Sequence, residues 1–188
     1  MGRWEPGARA RLREAALELF LEQGFDRTTV AEIAERAGVT ERTFFRHHRD
    51  KREVLFEGQD ALSHALADTI RDAAPDASSL AVVGASLTAL EEFFSLERRP
   101  YSRRRQRVID AESVLREREQ LKLATLADEA AAAFRERGAD EATALLLGQT
   151  VSALLTVAFV RWVAPDEERG FAELAAEAVA GMRAVAAG

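Results

Sequence analysis

The chain has 188 residues, no cysteine and a net charge of −6, which allows one or two domains with a real core and excludes a disulfide framework or a thiolate metal site. Its hydrophobic share of 47% is that of a globular protein and excludes wholesale disorder. Charge alone does not suggest nucleic acid: residues 1–55 hold 11 Lys/Arg against 10 Asp/Glu and the remainder 15 against 22, so any claim of DNA binding has to rest on pattern.

Residues 1–10 carry arginine and proline and no apolar run, and do not read as a signal peptide. Leu12, Ala15, Ala16, Leu19 and Phe20 recur at helical spacing and predict a first helix over residues 8–23, stopped by Gly24. Val30, Ile33, Ala34 and Ala37 form the inner stripe of a second helix, 29–37, where Thr29 and Glu32 have capping-box spacing. Gly38 permits a sharp turn, and Thr40 caps a short third helix, 41–47. Asp50 with Glu53 repeats the capping-box spacing and opens a long fourth helix, 51–73, ahead of Pro75. Five more helices follow, at 79–97, 101–109, 113–137, 141–163 and 167–186, most of them ending at Gly or Pro. The fold class is all-α with about nine helices, organised as residues 1–50 and 51–188. Residues 142–160 carry no charge and approach the length of a membrane span. They contain Thr143, Gln149, Thr150, Ser152 and Thr156, and read instead as a helix buried on most sides, with no membrane.

The informative segment is 28–51, TTVAEIAERAGVTERTFFRHHRDK. Two short helices joined by a glycine-bearing turn make a helix-turn-helix, whose second helix fits the major groove. Val39 and Phe44 are available to pack inward, which leaves Glu41, Arg42, Thr43, Phe45, Arg46 and His47 for other contacts. Arg42 is the candidate for guanine, since arginine to guanine is the commonest specific contact.

Over about 45 residues the sequence resembles the TetR family of bacterial regulators. The resemblance lies in Ala15, Gly24–Phe25, Thr28–Thr29, Ile33–Ala34, Ala37–Gly38–Val39–Thr40, Thr43–Phe44–Phe45–Arg46–His47 and Lys51. It implies a cytoplasmic homodimer that binds a palindromic double-stranded DNA operator, a repressor released by a small-molecule ligand. It implies phosphate contacts at Thr28, Thr40, Thr43, His47 and Lys51 and base-facing positions at Glu41 and Arg42. Thr29 and Arg46 complete the expected interface. The usual tyrosine of the third helix is Phe45 here, which removes a phosphate hydrogen bond and leaves an apolar ring suited to a thymine methyl. The phenylalanine that usually ends the motif is His48. The run Arg42–Arg46, the block Arg103-Arg104-Arg105-Gln106 and Trp162 resemble an actinobacterial subgroup with acyl-CoA-like ligands.

The expected ligand pocket lies between helices 4, 5, 7 and 8, lined by Leu62, Leu66, Leu90, Phe93, Phe94, Leu126 and Thr150. Arg103 and Arg104 would hold the charge of an amphipathic, anionic ligand. The other reading of the basic cluster at 98–107 is a solvated, ion-paired face. The expected dimer interface is Leu154, Leu155, Phe159 and Trp162 of helix 8 with Leu174, Val179 and Met182 of helix 9. No nucleophile motif, glycine-rich phosphate loop or H-E-x-x-H is present, so no enzyme and no cofactor is expected. Asp60 and His64 offer only two ligands, too few for a metal. The alternative function is a helical small-molecule binding or scaffold protein without specific DNA recognition.

Overall fold

The computed structural model describes residues 7–188, the side chain of Ala187 excepted. Residues 1–6, and with them the reading of the chain's start, lie outside the described part. The described residues form nine α-helices and three 3-10 turns, with no strand. The helices are α1 Ala8–Gln23, α2 Val30–Arg36, α3 Glu41–His47, α4 Gln59–Asp72, α5 Ser79–Thr88, α6 Arg99–Ala111, α7 Ser113–Glu136, α8 Glu141–Trp162 and α9 Phe171–Ala187.

The chain divides into two compact units, one of Met1–Glu57 with Arg104–Glu119, the other of Gly58–Arg103 with Gln120–Gly188. This differs from the expected 50/51 boundary for a physical reason. Val54, Leu55 and Phe56 form a buried 3-10 turn, Glu53–Phe56, that packs on α1. The segment 104–119 adds the buried Val108, Ile109 and Leu115. It is tied to the same unit by ion pairs of Arg104 with Glu14 and of Arg118 with Glu53.

In the first unit the local signals act as expected. Leu12, Ala15, Ala16, Leu19 and Phe20 are the buried stripe of α1. The chain leaves that helix through Gly24 at φ +86°, a conformation L side chains rarely adopt. The capping box of α2 is reciprocal: Glu32 N–H donates to Thr29 Oγ1 at 3.2 Å and Thr29 N–H to Glu32 Oε2 at 2.8 Å. Thr40 caps α3 by accepting from Thr43 N–H at 3.2 Å.

The expected continuous helix 51–73 is corrected. Asp50 accepts from Glu53 N–H at 3.3 Å, but the Glu53 carboxylate turns to Arg118 at 2.6 and 3.0 Å, so the box does not close. The 3-10 turn ends at Glu57, and Gly58 at φ +87° starts α4 afresh. The expected helix 79–97 is likewise broken after Thr88 into the 3-10 turns Ala89–Glu92 and Leu96–Arg98. The last helix begins at Phe171 rather than 167, because Glu167 closes the preceding loop. Its carboxylate accepts from Arg169 N–H at 3.1 Å and from that residue's guanidinium at 2.9 and 2.6 Å, which pulls its pKa down to about 2.

The second unit is built on one apolar cluster drawn from α4, α5, α7, α8 and α9. Phe94, Phe159, Trp162 and Phe171 meet as an aromatic knot, with Phe94 and Phe171 ring centroids 4.3 Å apart. α8 is long and apolar enough to cross a membrane by length and composition. Ala144, Gly148, Val151, Leu155, Ala158 and Trp162 on one of its faces are buried in this core.

Candidate nucleic-acid interface

α3 buries a single side chain, Phe44, at 0% exposure. At 3.6 residues per turn, the face opposite Phe44 carries Arg42 and Arg46, flanked by Phe45 on one side and Thr43 on the other. Glu41, Arg42, Phe45 and Arg46 are exposed, and Thr43 is partly so. Thr29 and Thr40 are exposed caps at the N-termini of α2 and α3. The structure therefore leaves nine of the ten expected interface residues exposed or half-exposed, His47 and Lys51 among the half-exposed ones, and buries Thr28. His47 Nδ1 accepts from Arg9 Nε at 3.2 Å. Partial burial, then the neighbouring charges of Arg46 and Arg9, hold its imidazole below its ordinary pKa.

Thr28 and Lys51 are corrected. Thr28 is buried, and its hydroxyl donates to Gly24 O at 2.8 Å, closing the loop between α1 and α2. The Lys51 ammonium donates to the carbonyls of Phe25, Thr28 and Asp26 at 2.6, 2.9 and 3.3 Å and lies 4.2 Å from the Phe25 ring centroid. An ammonium has three donors, and all three have acceptors in this loop. Lys51 thus pins the turn that starts the motif. Lys51→Met is expected to lower the stability of the first unit by about 2 kcal/mol, the worth of hydrogen bonds to a charged group. A denaturant midpoint unchanged from the parent would contradict that role.

His48 closes α3 and is buried against Phe44, with ring centroids 5.4 Å apart, and its Nε2 has no hydrogen-bond partner. Burial, the largest cause, holds its pKa below the ordinary 6.5. The unfolded chain therefore takes up the proton at higher pH than the folded one. Stability is present above pH 6.5 and falls as pH drops through that value toward the lower folded pKa. Melting at pH 7.5 and 5.5 should show this loss, and His48→Phe should reduce it, His47 contributing the remainder. The same variant removes a buried unpaired nitrogen and should gain about 1 kcal/mol at pH 7.5. An unaltered pH slope would show that His48 is not its source.

The expected ligand residues are placed differently. Leu62, Leu66, Leu90 and Leu126 are buried in the packed cluster, with Phe93 and Phe94 against its edge. The Thr150 hydroxyl donates to Leu146 O in its own helix at 2.8 Å. Arg103 donates to the carbonyls of Val163 and Glu167 at 3.1 Å and to Ala164, capping the C-terminus of α8. Arg99 does the same for Glu167 and Arg169, over the Trp162 ring. Arg104 pairs with Glu14. Within the basic block, Arg99 and Arg103 thus supply donors to carbonyls at the end of α8 and in the loop after it, while Arg104 and Arg105 are ion-paired with Glu14 and Glu119 and Arg98 and Arg107 are exposed. An open groove does lie between α7 and α8, lined by Gln120, Leu123, Ala124, Gln149, Ser152, Ala153 and Thr156.

The expected dimer residues are corrected too. Leu154, Leu155, Trp162, Leu174 and Val179 are buried in this chain's own core, and Phe159 is half-buried in the aromatic knot. Met182 alone of the seven is exposed. The apolar side chains that α8 leaves in solvent are Leu145, Leu146, Val157 and Val160.

Fold and site together define a helix-turn-helix protein with an all-helical second unit. Residues 12–57 match the family described as bacterial regulatory proteins, tetR family. The match is to the N-terminal helix-turn-helix domain and spans about a quarter of the chain. It is 49% identical over 57 residues to the HTH-type transcriptional regulator TcmR of Streptomyces glaucescens, a match spanning 30% of this chain and 25% of that protein's length. Among solved structures it is similar to Thermus thermophilus FadR, a TetR-family repressor in complex with lauroyl-CoA, at 26% identity and a TM-score of 0.53. That match covers 92% of this chain and 91% of FadR. A transcriptional regulator from Pseudomonas aeruginosa PAO1 shares the fold at 19% identity and a TM-score of 0.65, covering 99% of this chain and 94% of the other.

Proposed function

We propose that the chain is a sequence-specific DNA-binding transcriptional regulator, a cytoplasmic repressor acting as a homodimer on a palindromic operator and released by a small ligand. The observation that carries the reading is α3. It is anchored by one buried residue, capped by Thr40, and presents Arg42 and Arg46 outward from a domain of the TetR family. Such a short, rigid helix with a basic outer face fits the major groove. Dimerisation is supported by four large apolar side chains exposed on α8, since several exposed apolar groups on one helix favour a covering partner. A two-fold dimer pairs two recognition helices, which is what a palindrome requires. An amphipathic ligand is supported by the FadR complex, with its contacts assigned to groups other than Arg103 and Arg104.

The test is Arg42→Ala on an operator selected from random DNA. Specific affinity should fall by about 1–3 kcal/mol, with preference relaxed at one base position per half-site. Binding to unrelated DNA should change far less, because phosphate contacts carry that term. An even loss on operator and random DNA would remove Arg42 from the base-reading role.

A further inference from the structure

The most unusual side chain on the outer face of α3 is Phe45. It is 55% exposed, while the neighbouring Phe44 is fully buried. Its ring centroid lies 5.4 Å from that of Phe44 at an interplanar angle of 81°. This is the edge-to-face arrangement that aromatic pairs prefer, and it favours one placement of the exposed ring. The neighbours of Phe45 on the helix surface are Glu41 and Arg42, both exposed. An apolar ring is thus presented between an acidic and a basic side chain, on a helix whose outer face has no other large apolar group.

We propose that Phe45 reads a thymine 5-methyl group in the major groove, making it a specificity-determining residue of the operator contact. The inference rests on the DNA-binding reading above and adds which base feature the ring recognises. The chemistry selects the partner. Base edges in the major groove present hydrogen-bond donors and acceptors, which a phenyl ring cannot use, and one apolar group, the thymine methyl. Arg42 beside it matches the acceptors of guanine, so the thymine belongs next to the base that Arg42 reads. Covering the ring with a methyl removes apolar surface of both partners from water, which is favourable without any hydrogen bond.

The test replaces thymine by deoxyuracil, which removes the methyl and leaves every hydrogen-bonding group in place. An operator is first selected from random DNA with the full chain. Each thymine of one half-site is then replaced in turn, and affinity is read by fluorescence anisotropy. One replacement should weaken wild-type binding about fourfold, the worth of one buried methyl group. That loss should vanish in Phe45→Ala and survive in Phe45→Tyr, whose ring keeps its place. Because Phe45 is exposed to solvent, melting temperatures of both variants should match the parent and separate recognition from folding. A specific operator in which every thymine tolerates deoxyuracil overturns the assignment of Phe45 and leaves the DNA-binding reading standing. Failure to select any operator overturns both.

Discussion

Gly148→Val should destabilise the second unit by about 3 kcal/mol or more, an effect at the upper end of overpacking substitutions. A Cβ built on Gly148 lies 2.3 Å from Ala127 O, and 3.0 Å from both the Cβ and the backbone nitrogen of Ala131. The nearest obstacle is therefore backbone of α7, not the tip of a flexible side chain, and the two helices would have to separate. Gly148→Ala makes the argument sharper. In an ordinary helix interior that change gains about 1 kcal/mol of propensity. Here the approach to a carbonyl oxygen outweighs the gain, and a net loss of about 2 kcal/mol is expected. Denaturant unfolding of both variants checks this, and an alanine variant as stable as the parent would mean that α7 and α8 do not approach so closely.

The second large effect concerns assembly. Leu146 and Val157 are 11 residues apart, close to three turns of α8, and are 67% and 48% exposed. Both should lie in the dimer interface, while Leu154 and Trp162 lie inside the subunit. Replacing Leu146 and Val157 together by glutamate removes four apolar side chains from a two-fold interface. At about 1.5 kcal/mol each the loss is about 6 kcal/mol, or roughly four orders of magnitude in Kd. Sedimentation at micromolar concentration should then show a 20.7 kDa monomer where the parent is a dimer. Because both side chains are exposed in the folded subunit, its helical content should persist. A double variant that stays dimeric would move the interface elsewhere.

What was legible in the sequence follows the range of the interactions. The bounds of α1 and α3 agree with their stripes and caps, because Thr40 and Gly24 act within a few residues of themselves. The helix-turn-helix was legible for the same reason: the Thr29–Glu32 box and the Gly38 turn are local devices. The break before α4 was not. Glu53 has capping spacing from Asp50 but is claimed by Arg118, a partner 65 residues away. Arg99 and Arg103 read as a charge cluster because the carbonyls they serve lie 60 to 70 residues further along. Lys51 was placed on the interface for the same reason, since its acceptors at 25–28 are remote in sequence from the helix it was expected to open. Which face of α8 turns inward was not legible for a different reason. The helix is apolar nearly all round, so periodicity does not say which stripe packs into the core, and Trp162 and Leu154 lie on the stripe that does. The outer stripe of Leu146, Val157 and Val160 becomes visible only once the core is packed.

Specific recognition of DNA by α3 is decided by competition binding. A labelled fragment from upstream of the gene for this chain is bound at moderate salt and challenged with an excess of unlabelled unrelated DNA, then with itself. Salt sensitivity alone would not decide, since non-specific binding is equally electrostatic. The complex should survive about a thousandfold excess of unrelated DNA and yield to a small excess of the upstream fragment, the margin expected of a specific site. Equal displacement by both would contradict it.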